Sequence, residues 1–405
     1  MRERFYLPLE TALVRTVQVS RDPTVRSPFV TQTKAVVAIG RADVVDGYPR
    51  VQLSDHHGRA IIDPRMRRVL WGDQYGTLFG AKDWKGTIME QVVIHDDSTS
   101  PYGLRAQGLK DNIGLGRIGE ASRIMRENGL PTEVLVRVRK LREIWIGGKL
   151  VPVGEWKAGY LKSLDQDIEV AKGYGKRARE GWFRKKKREV QGYFKKSDFY
   201  IIERDLQVGE RLCDIGELRT EDDFTRVVAP IFRWVNAVAK AKGRGLMPDT
   251  EQPPRFDYSQ APDVKRYFLS WLPEQMGIYL ARFHALKLFH NYATNHNWSA
   301  VGVLCDLDSV RGVPLGNRAP RLSDYERDCT WTGQAIKDMW GSHEEGRENY
   351  LVSFLAPLLD PDPLYPDPKM AAAEVCKVMS LRRFNESYRQ ERARLGLRPL
   401  HAETF

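Results

Sequence analysis

Between Leu280 and Gly312 the chain sets histidine, asparagine and aspartate at offsets that suit a metal–nucleotide site. An apolar, helix-like run ends in His290, and a polar loop, Asn291 to Ser299, follows. A short apolar strand is expected over Val301 to Cys305, delivering Asp306 and Asp308. The Asn297 amide oxygen and the Asp306 carboxylate are hard donors, the kind Mg²⁺ takes when it also holds substrate phosphates. His290 and His296 sit in the same loop. An imidazole with an intrinsic pKa near ~6.5 can move a proton at neutral pH. The same residues also read as capping and turn-forming groups.

His290 and Asn297 keep the seven-residue step of the protein-kinase catalytic loop, H-R-D-x-x-x-x-N. Tyr292 stands in the slot of the catalytic aspartate. The run HNYATNHN, then WSAVGVLCDLD, more closely resembles selenoprotein O, an atypical kinase-fold family that also lacks that aspartate. Its loop resembles H-G-V-M-N-T-D-N, then a short apolar strand, then I-D-Y-G. The nine-residue step from Asn297 to Asp306 is the same. Here His296 replaces the family's aspartate before the asparagine. The resemblance implies an α+β, two-lobed protein-kinase-like fold, with a small β-rich N-lobe and a helical C-lobe. It implies ATP with Mg²⁺ or Mn²⁺, ligands Asn297, Asp306 and Asp308, and catalytic candidates His296, Glu120 and His290. The implied activity is AMP transfer to a hydroxyl.

These residues need elements to position them, and the pieces fall in kinase order. Residues 1–65 read as an N-terminal extension. Residues 66–214 read as the N-lobe, interrupted by a basic insertion over 145–197. Residues 215–405 read as the helical C-lobe, carrying the loop at 290–308. Glycines at 72, 76, 80 and 86 lie between β-like runs, where backbone N–H groups can approach phosphates. Gly72-Asp-Gln-Tyr-Gly76 resembles the family's G-H-Q-F-G, and Ser100 to Arg105 its T-P-Y-S-R. Gln74, Gly76 and Arg105 are nucleotide candidates on that basis. Glu120, in a helix ended by Gly129 and Pro131, is the candidate partner of a phosphate-binding cation, with Glu127 as substitute. His95 takes the slot of that cation, and Lys82, Lys85 and Lys110 are alternatives. The strand expected after Asp198 would place Glu203 to Leu206 against adenine.

Rival readings rest on other features. Gly114-Leu-Gly116-Arg-Ile-Gly119 is a literal GxGxxG, which marks a dinucleotide site only when a strand precedes it and a helix opens on it. The segment 176–196 interleaves Lys and Arg with Trp182, Phe183, Tyr193 and Phe194, as an acidic partner or nucleic acid would require. A small-molecule phosphotransferase or ligase and a non-catalytic pseudokinase scaffold complete the alternatives; the acceptor, protein or small molecule, is not named by the sequence. The net charge of +11 favours acidic partners. The four cysteines are widely spaced and form no zinc pattern. MRERFYLPLE has no apolar core of a signal peptide, and no run is long enough to span a bilayer. A cytoplasmic protein with no membrane contact is expected.

Overall fold

A computed structural model describes residues 10–14, 16–21, 35–39, 52–54, 59–61, 71–85, 94–96, 103–106, 110–141, 143–146, 149–341, 348–359 and 368–400. The architecture is α+β, with helix predominating. The chain divides into two compact units. The first is Met1–Pro64, Lys82–Gly116 and Leu135–Asp205; the second is Arg65–Ala81, Arg117–Val134 and Leu206–Phe405.

The first unit is built on a seven-stranded sheet. In chain order its strands are β1 (Thr16–Arg21), β2 (Gln52–Ser54), β3 (Arg59–Ile61), β4 (Ala81–Lys85), β5 (Lys110–Asp111), β6 (Val134–Leu141) and β7 (Phe199–Leu206). Their spatial order is β1-β6-β7-β4-β3-β2, and β5 pairs with β7. Residues 1–65 are therefore not an appendage, because three of these strands come from them. The strand β6 is rich in β-branched valine, which suits an extended backbone. The neighbours β4 and β7 are tied by a buried ion pair, Arg204 Nε to Asp83 Oδ1 at 2.7 Å. Removing one partner of such a pair is costly because the other charge stays desolvated.

After a hairpin over 143–152, the segment expected as an insertion folds into two antiparallel helices, α2 (Val153–Gly173) and α3 (Arg177–Lys196). They are numbered after α1 (Asn112–Glu127). Trp156, Phe194 and Phe199 form the aromatic seam that seats this hairpin. The Tyr193 hydroxyl donates to Asp111 Oδ2 at 3.0 Å, and Asp111 Oδ1 accepts the Gly114 N–H that opens α1.

The second unit is helical: α4 (Leu212–Gly216), α5 (Glu221–Lys242), α6 (Ala261–Arg266), α7 (Leu272–Ala285), α8 (Leu322–Met339), α9 (Tyr350–Leu355) and α10 (Pro368–Arg394). The sequence of α5 states its own ends. Thr220 accepts the Asp223 N–H, acids fill the first turn, and Gly243 closes the helix in the left-handed conformation. The core is aromatic, with Phe232, Phe256, Tyr267 and Trp271 packed edge to face or tilted. α7 lies against α10 at Gly277, where an added Cβ would sit 2.6 Å from the Phe384 carbonyl oxygen.

Candidate functional site

The loop at 290–308 belongs to the second unit and is held from four directions. Its ends are pinned together by a short antiparallel pair, Leu288–Phe289 with Arg311–Gly312. Gly312 makes this approach possible, since a Cβ there would lie 2.1 Å from the Lys287 oxygen. Asp328 of α8, fully buried, accepts the His290 N–H at 2.6 Å and the Asn291 N–H at 2.8 Å. The outer side is fastened by residues 210–213: Ala300 N–H donates to Glu210 O, and Leu212 N–H to Trp298 O. Glu133, also buried, accepts the backbone N–H groups of Asp306 and Leu307, each at 3.1 Å.

Within that frame the strand expected over Val301 to Cys305 does not form. The chain turns tightly at 299–303 through Gly302 N–H to Ser299 O and Val303 N–H to the Ser299 hydroxyl. Among the described residues the pairing here is two isolated bridges, Trp298 with Leu304 and Ser299 with Arg211. The Trp298–Leu304 bridge places Asn297 opposite Cys305, whose N–H donates to Asn297 O at 2.8 Å, with Asp306 the next residue along the chain. Trp298 anchors the bridge in the core, donating to the Thr332 hydroxyl and meeting Tyr279 edge-on. The Asn297 amide nitrogen donates to Tyr292 O at 2.6 Å, leaving its Oδ1 as the atom for a ligand. Asp306 is left-handed (φ 66°), as is Asn291 (φ 68°); asparagine and aspartate tolerate that region better than other side-chain-bearing residues. Asp308 follows in a 3₁₀ turn, Leu307–Ser309.

His290 is not open to a substrate. Its ring is buried, Nε2–H donates to Cys305 O at 3.0 Å, and Nδ1 has no partner among the described residues. Burial pushes its pKa below the ordinary histidine value, against the pull of Asp328. The ring is a strut between the two ends of the loop. A second histidine, His284 of α7, supports Asp328 from behind. The Tyr388 hydroxyl donates to its Nδ1 at 2.7 Å, and its Nε2 faces Asp328 Oδ2 at 3.4 Å. Burial lowers its pKa too, again against Asp328. His296 is half-buried on the loop, and Tyr292 is 48% exposed.

The remaining candidates are placed elsewhere or differently. Glu120 is 43% exposed and bonds Arg123 of its own helix, which also holds Glu127; spacings of three and four residues put all three on one face. The expectation that Glu120 meets a phosphate-binding cation is not what the described residues show. Gly114 to Gly119 lie in the first turns of α1, which begins at Asn112, and the strand directly before them, Lys110–Asp111, is two residues long. Gln74 and Gly76 sit at an exposed turn fixed by Asp73, which accepts from Tyr75 N and Thr77 N and pairs with Arg126 at 2.8 Å. The Leu206 carbonyl, expected to face adenine, accepts the Gly80 N–H at 2.9 Å. Lys110 is buried on β5. The side chains of Lys82, Lys85, His95, Arg105 and Glu203 lie outside the described residues.

Sequence reading missed Glu133, Asp328 and His284. Asp328 did leave a trace: it shares a face with Thr332 and Ile336 at four-residue steps, a carboxylate on an otherwise core-facing stripe. Nothing in the sequence marks Glu133.

The donor set suits a hard divalent cation. Asn297 and Asp306 carry an amide and a carboxylate, oxygen donors of the kind a hard cation takes, and a cation held by these two alone would need phosphates and water to complete its shell. Among the described residues no group of three or more His, Cys, Asp or Glu could cage a metal unaided. All four cysteines are buried thiols. No helix among the described residues is long and apolar enough to cross a membrane. No protein-family model matches the chain, and a search of curated proteins finds no match.

Proposed function

We propose that this chain is an ATP-dependent transferase of protein-kinase-like fold, its two units being the β-rich and helical lobes. We further propose that it moves AMP to a hydroxyl of a protein or small molecule. The observation that supports this reading is one loop that carries both Asn297 and Asp306, closed by the Cys305 N–H to Asn297 O bond and clamped by Asp328, Glu133 and the His290 ring. Asn297 Oδ1 and the Asp306 carboxylate would hold Mg²⁺ or Mn²⁺ together with the nucleotide's phosphates, with Asp308 as a further acid nearby. The cation supplies neutralisation of charge on the transferring phosphorus. His290 keeps Cys305, and so Asp306, in register with the loop. Tyr292 occupies the position of the kinase base, and phenol is a poor replacement for a carboxylate in taking a proton. Phosphoryl transfer relies chiefly on positioning and electrostatics, so the missing aspartate is compatible with group transfer.

The test uses ATP labelled separately at the α and γ positions, with Mg²⁺ or Mn²⁺, and cell extract or small hydroxyl compounds as acceptors. Acceptor label from the α position alone is expected. Label from γ alone replaces AMP transfer with phosphotransfer. Label from neither, with tight nucleotide binding intact, favours a scaffold.

A further inference from the structure

Residues 176–196 hold ten Lys or Arg against Glu180 and Glu189, a net +8 of the chain's +11. The helix α3 sorts this charge. Its apolar side, Val190, Tyr193 and Phe194, is buried. On another side stand Arg177, Arg184, Arg188 and Lys195, all exposed. Their steps of seven, four and seven residues close on eighteen, which is five whole helical turns. They therefore form one straight stripe about 27 Å long, with intervals of about 10, 6 and 10 Å. The positions between them on that face are Gly181 and Gln191, so the stripe contains neither an acid nor an apolar side chain. Arg184 shares its charge with Glu180 at 2.8 Å; Arg177, Arg188 and Lys195 have no carboxylate at ion-pair distance among the described residues.

The chemistry of the stripe selects among polyanions. A helix that lies in a membrane surface needs an apolar face to bury, and the apolar face of α3 is already inside its own unit. A protein partner would draw most of its binding energy from buried aromatic or apolar anchors, which the stripe lacks. Trp182, 52% exposed, and Tyr174, 76% exposed in the preceding turn, lie off it. A linear array of evenly charged, flexible cations matches a repeating phosphodiester backbone, whose affinity for proteins comes mainly from such neutralisation.

We propose that α3 is a nucleic-acid contact surface that takes the phosphodiester backbone without reading sequence. The proposal does not depend on the transferase reading. It is tested on the full chain by fluorescence anisotropy with a labelled 20-nucleotide single strand, the matching duplex, and phosphatidylserine vesicles, from 50 to 200 mM salt. Binding to the oligonucleotides is expected, with affinity falling steeply as salt rises. The variant R177Q/R184Q/R188Q/K195Q should bind at least tenfold more weakly and flatten the log–log salt slope by about 3, since each lost phosphate contact removes ~0.7–0.9. The variant R177K/R184K/R188K should retain binding, which separates charge from fold. Three outcomes overturn the proposal: a wild-type salt slope shallower than about 2, equal binding by the glutamine variant, or vesicle binding without oligonucleotide binding.

Discussion

His284 and His290 show how single residues make the loop at 290–308 sensitive to acid. Both rings are buried in the second unit, and burial holds each pKa below the ordinary histidine value although Asp328 pulls the other way. In the unfolded chain the same rings protonate near ~6.5. Below that pH the unfolded state binds more protons than the folded one, so stability is present above about pH 6.5 and is lost as pH falls through it. Ordinary carboxylates titrate mainly below pH 5.5, so histidines dominate proton uptake between pH 7.5 and 5.5. The urea midpoint of the full chain is expected to drop over that interval, and to drop less in H290Q. A wild-type midpoint unchanged between the two pH values would contradict the buried, neutral assignment. At this scale the sequence was only partly legible. It drew attention to His290 but not to its role, because a strut and a proton carrier are the same residue until its ring is seen bonded to Cys305 O.

Elements were legible where one segment decides its own fate. The caps of α5 and the breaker after α1 could both be read locally. The stretch 301–305 could not, because VGVLC is apolar enough for a strand and only Gly302 and the Ser299 hydroxyl turn it into a tight loop. Sheet membership was equally hidden, since β1, β2 and β3 join strands more than a hundred residues away or across unpatterned sequence. Helix contacts depend on distant partners as well. Gly277 lets α7 approach α10 so closely that a methyl group would meet the Phe384 carbonyl oxygen at 2.6 Å. Backbone on a packed helix cannot yield as a flexible side chain would. G277A is therefore expected to destabilise the protein by about 1–3 kcal/mol, despite alanine's better helix propensity. A chemical-denaturation curve at neutral pH measures it, and a variant as stable as the parent would show that the two helices can separate without cost.

For the whole molecule, composition narrowed the partners and two short motifs narrowed the chemistry. The sorting of charge along one side of α3 and the bond that closes the loop between Asn297 and Cys305 became visible only with the fold. The central claim is that Asn297 and Asp306 hold a metal-bound nucleotide. Asp306→Asn tests it most directly, because asparagine accepts the left-handed backbone at this position and keeps the N–H that Glu133 binds. Isothermal titration of the parent and variant with ATP in the presence of Mg²⁺ gives the answer, with circular dichroism and a thermal melt establishing that both are folded. A parent that binds and a folded variant at least tenfold weaker, ~1.4 kcal/mol or more, is the predicted result. Equal Mg²⁺–ATP affinity in parent and variant would contradict the metal site and the transferase reading built on it.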